Sequence, residues 1–272
     1  MGNGFRVSGY FSAIPDAMRK LDPFLLLDYN AEHPFEPTEE PRGVGVHPHR
    51  GFETVTIAFQ GSVAHHDSTG AGGVIGPGDV QWMTAARGIL HKEYHERAWA
   101  RRGGTFQMAQ LWVNLPRAHK MDAPRYQPIT ADRMGVVKLA RGGEVRVIAG
   151  AFDGVSGPAQ THTPITLLDA RLAVGDRMDL VTPRADNLGL LVMKGEVTLN
   201  GAAAKLHDFV VFDHAGDRVV IEAIAEAQLL VLGGTPIGEP IAPHGPFVMN
   251  TRQEIAQAFE DFRSGKFGYL DD

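Results

Sequence analysis

Two short blocks of this chain bring together the residue types that bind metal ions. The first is His47-Pro48-His49, and the second is His91-Lys92-Glu93. In an extended chain, side chains at i and i+2 lie on one face. His47 and His49 therefore share a face, and so do His91 and Glu93. If the two strands face each other, three imidazoles and a carboxylate converge on one point. Pro48 has no amide hydrogen to give a sheet, which places the first block at an edge or mouth where an ion has access. Imidazole and carboxylate donors suit iron, manganese, nickel, copper, cobalt or zinc, and softness alone does not choose among them. Four protein ligands leave one or two positions open on six-coordinate iron but fill tetrahedral zinc, which would then be structural.

Other readings of the same residues compete. His91, Glu93 and His95 spell H-x-E-x-H, and on a helix the two histidines would share a face with Glu93 turned away; Gly88-Ile89-Leu90 before them favours a strand. Glu53 is a rival carboxylate four residues past His49. His65-His66 reads as a pair of solvent-facing polar residues on a neighbouring strand. His33, His119, His162, His207, His214 and His244 stand alone and read as surface or loop residues. The glycines at 70, 72, 73, 76 and 78 do not fit G-x-G-x-x-G, no lysine follows to make a phosphate loop, and no G-x-S-x-G elbow occurs.

The elements that must position these blocks are short strands. Thr54–Phe59 alternates polar and apolar before Gly61, Val63–Asp67 returns, Gly76-Pro77-Gly78-Asp79 turns, and Val80–Met83, Gly88–Glu93 and Gln110–Leu115 follow. Close spacing with almost no helical periodicity describes an antiparallel sandwich or barrel. The second half repeats the plan, with strands expected at Val145–Ala149, Thr166–Leu172, Arg177–Val181, Leu188–Met193, Val197–Leu199, Phe209–Phe212, Val219–Ile224 and Gln228–Leu232. Setting Gly61 on Gly195 brings Arg50 onto Arg184, but His47 and His49 onto Val181 and Pro183. Setting Asp79 on Asp208 brings His91 onto Val220 and Glu93 onto Glu222. The chain thus reads as a tandem duplication whose second copy has lost three of four ligands. Near the C-terminus, Thr251 and Glu254 have capping-box spacing ahead of Ile255, Ala258, Phe259 and Phe262, and Gly265 ends a helix over about 251–264.

Composition narrows the function classes. The 272 residues carry 26 Lys and Arg against 32 Asp and Glu, a net charge of −6, with no clustered basic patch for nucleic acid. The absence of cysteine excludes disulfides, thiolate zinc sites and cysteine nucleophiles. No apolar run reaches the roughly 18 residues of a membrane span. A cytoplasmic, monomeric protein is expected.

The blocks His47-Pro-His-Arg-Gly-Phe-Glu-Thr-Val-Thr, Gly76-Pro-Gly-Asp-Val-Gln-Trp-Met-Thr-Ala and Arg87-Gly-Ile-Leu-His91 closely resemble the signature of the pirin family, in the cupin superfamily. The likeness extends to Asp22–Asp28, Gln110–Leu115 and Gly245–Thr251. It implies an all-β fold of two tandem cupin (double-stranded β-helix) barrels: residues 1–126 with the metal site, and 127–272 without one, ending in the helix. It implies His47, His49, His91 and Glu93 as ligands, with iron first among the metals, and Glu53 near the site but not the usual ligand. Pirins are similar to quercetin dioxygenases, so the resemblance implies a flavonol or related phenolic and O2 as partners, ring opening with release of carbon monoxide, and Glu93 as the catalytic base. It also implies an alternative: a non-catalytic, iron-binding redox sensor or transcription coregulator with a protein partner. Phe52, Phe59, Trp82, Met83 and Leu90 are candidate pocket walls. Lys92, where the family more often has a small residue, falls on the face away from the metal.

Overall fold

The computed structural model describes residues 2–271. Its strands are β1 (Ser8–Gly9), β2 (Phe24–Phe35), β3 (Gly43–His49), β4 (Phe52–Gln60), β5 (Val63–Asp67), β6 (Gly72–Ile75), β7 (Val80–Thr84), β8 (Ile89–His95), β9 (Gly104–Asn114) and β10 (Arg125–Ile129). They continue as β11 (Gly135–Lys138), β12 (Glu144–Ala149), β13 (Ala151–Phe152), β14 (Val155–Ser156), β15 (Ile165–Leu172), β16 (Arg177–Val181), β17 (Asn187–Lys194), β18 (Glu196–Leu199), β19 (Ala202–Lys205), β20 (Phe209–Val211), β21 (Arg218–Ala223), β22 (Ala227–Gly234), β23 (Ala242–His244) and β24 (Phe247–Met249). The helices are α1 (Ala17–Lys20), α2 (Arg97–Arg102) and α3 (Arg252–Arg263). None among the described residues is long and apolar enough to cross a membrane.

The chain forms two compact units. The first comprises the described parts of Met1–Pro15, Leu25–Ala131 and Ile237–Asp272; the second comprises Asp16–Phe24 and Asp132–Pro236. In the first, one sheet runs β1-β2-β9-β4-β7-β10 and another β3-β8-β5-β6. In the second, the orders are β11-β12-β15-β22-β17-β20 and β16-β21-β18-β19. The strand sequence β2-β9-β4-β7 therefore recurs as β15-β22-β17-β20, and β3-β8-β5-β6 as β16-β21-β18-β19. This is the expected duplication, two cupin barrels in tandem.

Two features depart from the sequence-based expectation. The helix expected at the end of the second barrel belongs to the first unit. There Ile255 and Ala258 bury against Phe247, Met249 and Phe267, and Asp261 takes a buried ion pair from Arg50 at 2.9 Å. The expected capping box is present, with Thr251 accepting from the Glu254 amide and the Glu254 carboxylate from that of Thr251. The second feature is α2, which the apolar pattern does not announce. Glu96 caps it, accepting from the amides of Ala98 and Trp99 at 2.8 Å each, and its six residues are too few to show a period.

The second unit has an aliphatic interior. Met178, Leu180, Leu188, Leu190, Val192, Val197, Leu199, Val219 and Ile221 pack into one continuous core. Each such side chain contributes about 1.5–3 kcal/mol when fully buried. The first unit is built on the same strands but fills its interior differently.

Candidate metal centre

Every residue of β4 from Phe52 to Phe59 is buried, although Thr54 and Thr56 alternate with Val55 and Ile57. Alternation of this kind usually marks one wet face. Here the polar face is the inside of the barrel. Register explains what it does there: Thr56 lies between Gln110 of β9 and Gln81 of β7. All three side chains donate to the Glu93 carboxylate, Thr56 Oγ1 at 3.1 Å and Gln81 Nε2 to Oε1, and Gln110 Nε2 at 2.9 Å to Oε2. The neighbouring row is Trp112, Thr54, Met83 and Tyr126. Beyond the carboxylate, the barrel is closed by Phe5, Trp99, Phe106 and Met108.

On the facing sheet, β8 presents Ile89, His91, Glu93 and His95 inward, all buried, while Leu90, Lys92 and Tyr94 are half-exposed. His47 pairs directly with His91 across the ladder, and a bulge between Val44 and His47 adjusts the register. The imidazole nitrogens of His47, His49 and His91 lie within 4.8 Å of one another. Ring centroids are 4.2 Å apart for His47 and His91, and 4.8 Å for His49 and His91. A second group within the same limit is His65, His91 and Glu93. The structure thus brings the three expected histidines together and links Glu93 to them through His91.

The donor set fits a metal ion. A carbonyl only accepts, so His47 donates from Nδ1 to Gly45 O at 2.8 Å and His49 from Nδ1 to Pro246 O at 3.3 Å. Both rings then keep the Nε2 lone pair free. Such second-ring contacts are what orient histidine ligands. His91 Nε2 is buried and has no hydrogen-bond partner among the described residues. Burial, followed by the neighbouring His47, lowers the His49 pKa to about 3. Burial, then His49, His47 and His65, pushes that of His91 well down. Both are neutral at pH 7, the state that metal binding requires. His47 is half-buried, so solvent reaches the group from its side.

Several sequence readings change. His65 is not solvent-facing: it is fully buried, pairs across the ladder with Glu93, and stacks on Tyr126 at 4.9 Å and 12°. Its neighbour His66 is exposed, as alternation demands. His95 faces inward on the strand but not towards the other histidines. It donates from Nε2 to Gly4 O at 2.8 Å and sits among Phe5, Phe35, Trp99 and Phe106, with burial lowering its pKa to about 4. Glu53 lies on the face of β4 opposite Thr56, accepting from Thr84 Oγ1 at 2.6 Å. Burial pushes its pKa up to about 7, opposed by hydrogen bonds from Thr84 and Trp82.

Among the candidate walls, Phe52 packs 5.0 Å from the His49 ring, and Met83 lies on the inner face with Ile89 and Tyr126. Trp82 alternates away from Gln81, and Leu90 packs outward with Phe247. Trp112, 5.2 Å from His49, is a wall the sequence reading missed. Its row position, one pair from Gln110, was the available signal. Lys92 points away from the histidines, as expected, with Nζ on Asp271 O.

Comparison with known proteins places this geometry in context. Residues 4–113 match the Pirin family, and residues 167–268 match the Pirin C-terminal cupin domain. A Pseudomonas aeruginosa protein named "putative quercetin 2,3-dioxygenase" is 49% identical over 98% of this chain and 93% of its own length. The crystal structure of a quercetin 2,3-dioxygenase from Acinetobacter baumannii superposes with a TM-score of 0.95 at 44% identity, covering 100% of this chain and 94% of that one. A bacterial pirin from Escherichia coli in complex with nickel(II) shares the fold at 20% identity, with a TM-score of 0.64 over 86% of this chain and 90% of that one.

Proposed function

This chain belongs to the pirin family, and from that premise we propose that it is a mononuclear metal-dependent dioxygenase acting on a flavonol or related phenolic. The observation that carries the reading is the convergence of His47, His49 and His91, with His91 Nε2 buried and unpartnered among the described residues. In this proposal those three histidines and Glu93 hold one transition metal ion, iron first. Such an ion, when bound, lowers the pKa of a coordinated phenol and holds it beside dioxygen.

The chain's own residues supply the rest. Phe52 and Trp112, 4.3 Å apart beside His49, offer flat apolar surface to an aromatic substrate. Gln81, Gln110 and Thr56 hold the Glu93 carboxylate in one rotamer. Among the described residues, its Oε1 receives two donors and Oε2 one, from Gln110. Oε2 is therefore the atom with room to take the proton of the substrate's hydroxyl, which makes Glu93 the proposed catalytic base. Relatives carrying quercetin 2,3-dioxygenase names support the flavonol class. The site is proposed for the first barrel alone.

The test is elemental analysis of gently purified protein, followed by oxygen uptake and loss of quercetin absorbance with iron-loaded protein. Consumption of both, with carbon monoxide released, is expected. Loaded protein that leaves quercetin and close analogues untouched would sink the dioxygenase reading and shift the site to metal sensing.

A further inference from the structure

The geometry points to a function for two buried residues that the ligand set does not use. We propose that Asp67 and His65 form a positioning relay that sets the tautomer and ring orientation of His91. Asp67 accepts from His65 Nε2–H, and His65 Nδ1 accepts from His91 Nδ1–H, so that His91 presents a bare Nε2. This rests on the reading of His91 as a metal ligand and deepens it.

Both residues come from β5, the strand paired with β8. The ladder sets His65 opposite Glu93 and Asp67 opposite His91, all facing inward. Asp67 Oδ1 is saturated by the Thr69 amide at 2.8 Å, the Thr69 hydroxyl at 2.6 Å and the Ala71 amide at 3.2 Å. Oδ2 is left facing His65 Nε2 at 3.5 Å. The His65 ring plane is set by stacking on Tyr126. Its other nitrogen faces His91 Nδ1 at 3.4 Å. Both contacts are at the long end for hydrogen bonds, so proton logic decides more than length does. A carboxylate accepts only, which puts the His65 hydrogen on Nε2 and leaves Nδ1 bare. Two facing ring nitrogens share one hydrogen, so His91 carries it on Nδ1. The Nε2 of His91 is then the lone pair, and it is the atom found buried without a partner among the described residues.

A second observation is independent of this geometry. With Gly61 set on Gly195, Leu199 stands at the position of His65 and Gly201 at that of Asp67. The barrel that lacks the histidine cluster lacks the relay as well. Outer-shell partners of this type commonly change metal affinity by roughly 10–100-fold when removed.

The experiment uses full-length, metal-stripped protein and cobalt(II) as probe. Affinity is measured by chelator competition for wild type, His65→Leu, His65→Gln and Asp67→Asn, with the metal-free unfolding midpoint recorded for each. His65→Leu should bind cobalt(II) about 10–100-fold more weakly, with Asp67→Asn also weakened. His65→Gln keeps a carbonyl that can accept from His91 Nδ1–H, and should stay near wild type. In parallel, ¹⁵N spectra of histidine-labelled, metal-free wild type should show His91 as the Nδ1–H tautomer. Unchanged affinity in His65→Leu, or His91 found as Nε2–H, overturns the relay. Equal losses in Leu and Gln overturn it in favour of His65 as a ligand. Wild type that binds no cobalt(II) overturns the ligand reading instead, while the tautomer still decides the relay.

Discussion

The two barrels are one topology with two interiors. In the second, β21 presents Val219, Ile221 and Ala223 inward, and β16 presents Met178 and Leu180. In the first, the equivalent strands present His91, Glu93 and His95, and His47 and His49. Pairing with the next strand makes the equivalence explicit: His95 and Glu93 pair with Val63 and His65, as Ala223 and Ile221 pair with Val197 and Leu199. The fold therefore does not need a polar interior, since an aliphatic one serves it. Buried polar groups cost stability unless hydrogen-bonded. The first barrel meets that cost with a fixed set of partners around Glu93, and among the described residues it leaves His91 Nε2, in the histidine cluster, and His95 Nδ1, among aromatic rings, without one.

Removing the difference at its centre should have the largest effect. His91→Ala is expected to take metal content from about one ion per chain to none, and to abolish quercetin turnover, as read by elemental analysis and oxygen uptake. A remaining full equivalent of metal would break the contrast, because it would put a site elsewhere. A truncation in the aliphatic barrel at the place Glu93 takes in the first, Ile221→Ala, should leave metal content unchanged while lowering unfolding free energy by about 2–5 kcal/mol, the range for truncating a buried isoleucine. Denaturant titration of metal-free protein measures it.

Glu53 and Asn187, which align when Gly61 is set on Gly195, sharpen the comparison at a charged position. The Glu53 pKa is raised to about 7 in the folded protein against about 4.5 unfolded. Its protonated form is favoured by folding, so its contribution is fully present below about pH 4.5 and lost as pH rises through about 7. Glu53→Gln removes the ionisation. It should stabilise metal-free protein at pH 8 by about 3 kcal/mol, and by little at pH 4. Equal effects at both values would show that Glu53 ionises freely in the fold. The smallest effect expected is at the capping box of α3: Thr251→Ala should cost about 1 kcal/mol, again by denaturant titration.

Much of this was legible in the residue order. Every strand expected from Thr54 to Leu232 is present, because alternation and glycine turns are local signals. His47, His49 and His91 converge, as their spacing on facing strands predicts. Alternation normally sets the polar residues of a strand towards water, and the first barrel reverses this. His65, Thr56, Gln81 and Gln110 are buried inside it, where alternation alone predicts surface positions. The same period of two accounts for the slip in the second barrel. Setting Asp79 on Asp208 puts Glu222 on Glu93, but one residue of offset turns a strand over. Glu222 is exposed and paired with Arg177 at 2.9 Å, while Ile221 takes the inner place.

Fold class, duplication and the converging histidines follow from residue order, since each depends on spacings of a few residues. Long-range packing settles which face of each strand is the inside. It alone set β5 against β8, so that His65 and Asp67 reach His91, and returned the chain's end to the first unit, where Asp261 meets Arg50. Those are pairings between residues 24 to 211 positions apart, and no local pattern encodes them. Packing chose them, because apolar faces are buried against one another and most buried polar side chains find hydrogen-bond partners there.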